Sequence, residues 1–129
     1  MPEIDFNEYA MTLYSQVDAA VILKRATIEG GDWEPQPNMC HHNVSIWCQH
    51  KPEFKVVRGW LYFDLLGLNY VKFVAHSAVR NPDGELFDIT PASASQDYPF
   101  IESGLSEEKY AEFVETRGFG EIHCSKENA

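Results

Sequence analysis

Residues 55–89 read KVVRGWLYFDLLGLNYVKFVAHSAVRNPDGELFDI, and this stretch decides the fold. Three segments in it are rich in β-branched and aromatic residues or alternate between two faces, as strands do: 55–63, 71–79 and 85–89. Gly67 to Asn69 supplies the first turn, and Asn81-Pro82-Asp83-Gly84 supplies a hairpin turn. The stretch therefore predicts three antiparallel strands in succession.

Helical patterns lie on both sides of these strands. Apolar spacing and capping residues predict three helices: roughly 5–28, from Met39-Cys40 to the residue before Pro52, and from Ser106 to about Thr116. Residues 92–104 are polar and predict a loop, and residues 120–124 add a short last strand. Helices followed by hairpins predict one α+β domain, residues 1–129, in which an antiparallel sheet packs against helices.

The charge of the chain limits its partners. Of 129 residues, 20 are acidic and 10 are Lys or Arg, so the formal net charge is −10. Such a surface repels phosphate backbones and anionic lipids, so we expect no nucleic-acid and no membrane partner. The N-terminal residues do not resemble a signal peptide. Cys40, Cys48 and Cys124 match no disulfide framework, which favours a reducing, cytoplasmic location.

Three residues form the candidate catalytic group. Cys40 lies in the first turn of a predicted helix, where backbone N–H groups and the helix dipole favour a thiolate. His76 lies in the middle of the central strand, and Asp88 lies on the returning strand. A carboxylate orients a histidine and keeps it basic, and a basic histidine beside a thiol produces a nucleophile. The sequence lacks the GxGxxG, HExxH and GxSxG motifs of other chemistries.

The hairpin turn sets the expected separation of His76 and Asp88. If Asp83-Gly84 is the centre of the turn, the numbers of paired residues sum to about 167. His76 then lies opposite about position 91, and Asp88 lies opposite about position 79. The two residues are therefore predicted to be diagonal neighbours with an offset of about three residues, which a bulge or a longer loop would reduce.

The segments MCHHNVSIW, VVRGW and AHSAVRNPDGELFDITP resemble the core of the transglutaminase-like group within the papain-like fold. In that group a Cys opens a helix packed on an antiparallel sheet. A His follows on one strand, and an Asp follows on the next, commonly as D-x-T. The resemblance covers roughly 38–91 and implies a triad of Cys40, His76 and Asp88 that needs no cofactor.

Acyl transfer also requires hydrogen-bond donors for the oxyanion that forms on the attacked carbonyl. The backbone N–H of Cys40 is one candidate. The second donor is left open among Gln36, Asn38 and the Nε1 of Trp60. Asn43, about one helical turn after Cys40, either hydrogen-bonds the site or satisfies the helix surface.

Structural explanations compete with the functional ones. Asp88 can cap the turn at Thr90-Pro91 instead of orienting a histidine. Trp60 is expected in the core rather than as a ligand platform. Cys48 is rotated from Cys40 by about 80° on the helix, so we expect it outside the site.

The leading prediction is a hydrolase or acyltransferase that acts on an amide, ester or thioester of a small-molecule or peptide substrate. Cys40 attacks the carbonyl, His76 transfers the proton, and Asp88 orients His76. The alternative is a non-catalytic binding module with the same fold. A zinc site of Cys40, His42 and His76 is the third interpretation, but about 200° on the helix separates Cys40 from His42, so we expect no metal.

Overall fold

A computed structural model of the chain describes residues 6–26, 33–36, 39–64, 68–91, 98–117 and 121–125. Its elements in chain order are α1 (Phe6–Ser15), β1 (Val21–Ile22), β2 (Lys24–Arg25), α2 (Cys40–His50), β3 (Lys55–Asp64), β4 (Tyr70–Arg80), β5 (Leu86–Asp88), β6 (Pro99–Glu102), α3 (Glu107–Arg117) and β7 (Glu121–Ser125). Within these ranges the protein is an α+β fold with three α-helices and seven strands in one sheet.

The long strands β3 and β4 form the centre of the sheet, as predicted. They pair antiparallel from Lys55 opposite Arg80 to Asp64 opposite Val71. The sheet order is β1-β6-β3-β4-β5-β2, and β7 pairs with β4. The sheet is mixed rather than purely antiparallel, because β2 and β5 run parallel. The α+β class is confirmed, and the expectation of a wholly antiparallel sheet is wrong.

The turn between β4 and β5 contains three residues instead of the two predicted. Val79 pairs with Phe87, and the Asn81 N–H donates to the Glu85 carbonyl oxygen at 2.9 Å. Gly84 adopts a φ of +87°, the left-handed conformation that ends this type of three-residue turn and that glycine takes without steric cost. The register of the hairpin is therefore shifted by one residue from the prediction.

This shift decides which face of the sheet Asp88 occupies. Side chains alternate between the two faces, so one residue of slip moves a side chain to the opposite face. The observed register, continued by one pair, sets Asp88 opposite Ala78, two residues from His76. Asp88 and His76 thus lie on the same face as diagonal neighbours, whereas the predicted offset of three would have separated them.

The first helix is shorter than the predicted span of roughly 5–28. α1 ends at Ser15, and residues 17–19 form a single 3-10 turn. The chain then runs across the sheet as a strap, since β1 pairs with β6 and β2 pairs with β5. The apolar residues Val21 to Leu23 continue the helical spacing, but partners on two distant strands favour extended backbone. Leu23, in the middle of this strap, is buried.

The predicted polar loop at 92–104 contains β6. This strand pairs with both β1 and β3, and it buries Phe100 and Ile101. Its two-residue apolar core is too short to produce a pattern that distinguishes it from a loop. Residues 92–97 of the predicted loop lie outside the described residues.

The helices cover one face of the sheet in two places. One cluster joins α1 and α3 to the sheet around Trp60, Phe73 and Phe113, and another joins α2 to the sheet around Val44 and Val79. None of the helices in the described ranges has the length and apolar character to cross a membrane.

Candidate active site

The candidate site lies beside a stretch of β4 that pairs with a neighbouring strand on only one of its two edges. One edge of β4 pairs with β3 from Val71 to Arg80. On the other edge, β7 pairs with residues 70–74 and β5 pairs with residues 79–80. Among the described strands, residues 75–78 have no pair on this second edge. α2 packs mainly against β4, and Cys40, its first residue, interacts with His76 in this unpaired stretch.

His76 interacts with both Cys40 and Asp88. It is near enough to the Cys40 thiol for the two groups to shift each other's pKa, and its Nε2 lies 3.0 Å from Asp88 Oδ2. The side chains of His76 and Asp88 are 13% and 11% exposed, so little water competes for this bond. Because Nε2 faces the carboxylate, Nδ1 is the ring nitrogen that remains for exchange of a proton with Cys40.

Asp88 makes both of the contacts that the sequence left open. Its Oδ1 accepts the backbone N–H of Thr90 at 3.0 Å, which caps the turn after β5, while Oδ2 faces His76. Arg25 of the strap lies 4.0 Å from Oδ2. The D-x-T sequence therefore has a physical explanation, since Thr90 fixes the carboxylate in the orientation that meets His76.

The contacts shift the pKa values of the thiol and the imidazole in opposite directions. Burial alone would raise the pKa of Cys40, but hydrogen bonds with His41 and His76 outweigh it and lower the pKa from 9.0 to about 6. Burial alone would lower the pKa of His76, but hydrogen bonds with Asp88 and Cys40 raise it from 6.5 to about 9. Between pH 6 and 9 a thiolate–imidazolium pair is therefore the favoured state.

The start of α2 supplies further donors. Met39 is the N-cap residue and makes no capping hydrogen bond with its side chain. The first N–H groups of a helix have no acceptor within the helix. Those of Cys40 and His41 therefore point out of the N-terminal end of α2, where Cys40 lies, and can donate to a negative group there. Asn38, the expected cap and an expected oxyanion donor, lies outside the described residues.

The other expected oxyanion donors already have partners. Trp60 is fully buried, and its Nε1 donates to the Tyr9 hydroxyl at 2.9 Å. Gln36 is exposed, and its side-chain amide donates to the Glu34 carbonyl oxygen at 3.2 Å. Trp60 is therefore a core residue, and among the described members of the predicted set the backbone N–H of Cys40 remains as a donor.

The side chain of Asn43 hydrogen-bonds two segments next to the candidate site. It has no exposed surface, and its Nδ2 donates to the Gln36 carbonyl oxygen at 2.8 Å and to Thr90 Oγ1 at 3.0 Å. Its Oδ1 accepts the Gln36 backbone N–H at 3.0 Å. One side chain thus joins the segment before α2, the helix itself and the turn that carries Asp88.

His41 is a site residue to which the sequence analysis assigned no role. Its side chain helps to lower the pKa of the Cys40 thiol, and its Nδ1 lies 2.5 Å from Ser77 Oγ. Arg58 NH1 donates to the same oxygen at 2.9 Å, and Arg58 pairs with Ser77 across β3 and β4. The pairing of the two long strands was the signal that could have revealed the Arg58–Ser77 contact.

The residues of the zinc interpretation do not converge. His42 is exposed, and the part of the chain that the structure describes holds no group of three or more metal-ligating side chains. Cys48 packs in the cluster of α2, Cys124 lies in the main core, and burial raises the pKa of both thiols. Both belong to packing regions away from the Cys40–His76 contact.

Comparison of the chain with protein-family models, with curated proteins and with solved structures finds no significant match. The chemistry of this site is therefore argued from its own residues.

Proposed function

We propose that this protein is a cysteine-nucleophile hydrolase or acyltransferase with a Cys40–His76–Asp88 triad. The observation that carries the proposal is His76 Nε2 at 3.0 Å from the Asp88 carboxylate, on a histidine that also lowers the pKa of the helix-terminal Cys40 thiol. A thiolate, a positioned acid and a buried carboxylate are the groups that nucleophilic acyl transfer requires.

In the first step the Cys40 thiolate attacks the carbonyl carbon of an amide, ester or thioester. A carbon–sulfur bond forms, and the carbonyl π electrons move to oxygen, where the N–H groups at the start of α2 stabilise the negative charge. The imidazolium of His76 then gives its Nδ1 proton to the departing amine, alcohol or thiol. Asp88 keeps His76 oriented and stabilises its positive charge throughout this step.

In the second step the acyl group leaves Cys40. His76, now neutral, takes a proton from water or from another acceptor molecule, and the activated oxygen, nitrogen or sulfur attacks the thioester carbonyl. The carbon–sulfur bond breaks, and the thiolate and imidazolium are restored. Water as the acceptor makes the protein a hydrolase, and another nucleophile makes it an acyltransferase.

A groove lined in part by Phe100, whose ring contacts His76, supports a small-molecule or peptide substrate. It has a volume of about 320 Å³, and the apolar residues Leu86, Phe100 and Ile101 contribute to its wall. The Phe100 ring also contacts the His76 ring, with 6.3 Å between the ring centres. An apolar groove of this size accommodates one side chain or a short acyl chain.

The papain-like, transglutaminase-like assignment is part of the same proposal. It is supported by the order of elements, since α2 carries the Cys, β4 carries the His and the next strand, β5, carries the Asp. The net charge of −10 supports a substrate other than nucleic acid, and cysteines without disulfides support a cytoplasmic location.

The direct test is capture of an acyl-enzyme. In a reporter chain with Cys48→Ala and Cys124→Ala, we expect p-nitrophenyl acetate or a small acyl thioester to add one acyl group, located on Cys40 by peptide mass spectrometry. Replacement of Cys40 by Ala in this chain should abolish the adduct and the burst of leaving group, because no nucleophile remains.

His42→Ala is the matched control, since His42 is exposed on the same helix and should leave the adduct unchanged. A folded reporter chain that gains no acyl group from either probe at pH 7 to 8 would contradict catalysis. Such a result would favour the non-catalytic binding module.

A further inference from the structure

The guanidinium of Arg58 is largely buried, and the mechanism above does not use it. Arg58 lies on β3 with 15% of its side chain exposed, and its Nε donates at 3.0 Å to Glu107, which is 66% exposed. A charge withdrawn from water is costly unless hydrogen bonds replace the solvent, and an ion pair with an exposed partner contributes little. The burial of Arg58 therefore depends on its other hydrogen bonds.

These other bonds connect two elements of the candidate site. Nη1 of Arg58 donates to Ser77 Oγ on β4 at 2.9 Å and to the His41 carbonyl oxygen on α2 at 3.3 Å. This nitrogen carries two hydrogens, so it can serve both acceptors at once. Nη2 donates to Ser45 Oγ, one turn further along α2, at 3.3 Å. One side chain thus bridges the start of α2 and the middle of β4.

The two acceptors of Nη1 lie next in sequence to the residues of the proposed reaction. His41 directly follows Cys40 on α2, and Ser77 directly follows His76 on β4. Residues 75–78 have no partner among the described strands on the second edge of β4. The ladder of this edge therefore does not fix His76 relative to α2, and side-chain bonds between the two elements take that role.

We propose that Arg58 is a positioning residue, and that its bridge between the His41 carbonyl oxygen and Ser77 Oγ sets the separation of Cys40 and His76. The inference rests on the proposed function, because it concerns two members of the same triad. Arginine suits the task because its planar group presents several donors in a fixed arrangement, whereas lysine has a single nitrogen at the end of a flexible chain.

The bridge is separate from the contact between His76 and Asp88. These two side chains meet directly at 3.0 Å, and Asp88 is held by the backbone N–H of Thr90. Asn43 of α2 donates to Thr90 Oγ1 at 3.0 Å, so α2 has its own connection to the turn after β5. Loss of the Arg58 bridge should therefore move the start of α2 away from β4 and leave the His76–Asp88 contact in place.

Charged and titratable groups surround the bridge on several elements. They are Glu107 and Tyr110 on α3, His41 and Cys48 on α2, and His76 on β4 with Asp88 on β5. Burial raises the pKa of Tyr110, so its hydroxyl stays protonated near neutral pH, and Cys48 is absent from the reporter chain. Arginine, or a lysine in its place, stays charged in the same range. A substitution of Arg58 by Lys thus changes the bridge and keeps the charge.

The test is the midpoint of Cys40 alkylation by iodoacetamide against pH in the reporter chain. We expect Arg58→Lys to move the midpoint upward by about one pH unit, because a thiol farther from His76 is a weaker acid. Alkylation at pH 6 then slows about fivefold. Ser77→Ala, which removes one acceptor of Nη1 and keeps Arg58, should move the midpoint in the same direction by about half a unit.

Arg80→Lys is the matched control, because Arg80 also lies on the central pair of strands and its ion pair is with Glu102 of β6. Its curve should match that of the parent. Thermal unfolding identifies the variants that fold, and the Ser77→Ala curve decides the question if Arg58→Lys does not fold. A curve for the deciding variant that superimposes on that of Arg80→Lys would overturn the proposal.

Alkylation needs no acyl substrate, so failure of this inference and failure of the proposed function are distinguishable. A shifted Arg58→Lys curve in a reporter chain that forms no acyl-enzyme would reject the proposed function and retain the positioning role of Arg58. An acyl-enzyme together with superimposed alkylation curves would retain the function and reject the role of Arg58.

Discussion

Replacement of Asp88 by Asn is expected to slow alkylation of Cys40 at pH 7 about tenfold or more, with a smaller effect on stability. Asn keeps the oxygen that accepts the Thr90 N–H, so the turn after β5 should survive. It loses the charge that stabilises the His76 imidazolium, and its amide N–H favours the ring tautomer with the proton on Nδ1. His76 then cannot accept the thiol proton, and the pKa of Cys40 should rise from about 6 toward its ordinary value of 9.0.

The measurement is the pH dependence of iodoacetamide labelling in the reporter chain, with and without Asp88→Asn. Asp83→Asn is the matched control, because Asp83 is an exposed carboxylate in the same hairpin turn. Urea denaturation should show a loss of about 1 kcal/mol or less for Asp88→Asn. Superimposable labelling curves would show that Asp88 only caps its turn, and the triad would be rejected.

Replacement of Gly59 by Ala is expected to reduce the free energy of unfolding by about 3 kcal/mol, because an added methyl group finds no space. A Cβ at Gly59 would lie 2.3 Å from the Ile101 carbonyl oxygen and 2.5 Å from Cζ of Phe100. Gly59 pairs with Glu102 of β6, so relief of the clash requires β6 to move away from β3. The Phe100 ring also contacts His76, so we expect slower Cys40 alkylation as well.

Gly84→Ala is the matched substitution, since nothing lies within 4 Å of a Cβ at Gly84 and only its φ of +87° opposes alanine. That strain costs about 1 kcal/mol. Urea denaturation of both variants separates the two effects. If Gly59→Ala is as stable as Gly84→Ala, β3 and β6 are not packed as closely as described.

Local sequence signals predicted the elements that carry the three residues of the proposed triad. Strand composition identified β3 and β4, and the second apolar pattern placed Cys40 at the start of α2. The VVRGW segment was predicted as part of a strand and was also part of the resemblance, and the structure shows what each of its last three residues contacts. Arg58 binds Ser77, Gly59 allows β6 to approach, and Trp60 fills the core.

The elements that sequence analysis missed depend on partners far away in the chain. The strap at 21–25 and β6 become strands only because distant edges pair with them. Apolar spacing over so few residues also fits a helix face, which explains the overlong first helix. The register of the hairpin depended on the conformation of Gly84, and a difference of one residue in that turn determined whether Asp88 faces His76.

The most direct test of the central claim is the midpoint of Cys40 alkylation against pH in the reporter chain without further substitutions. A thiolate held by His76 and His41 predicts a midpoint near pH 6, matching the pKa of about 6, and no further rise in rate between pH 7 and 8. A midpoint at or above about pH 8.5, close to the pKa of an unperturbed cysteine, would contradict the account of Cys40 as an activated nucleophile.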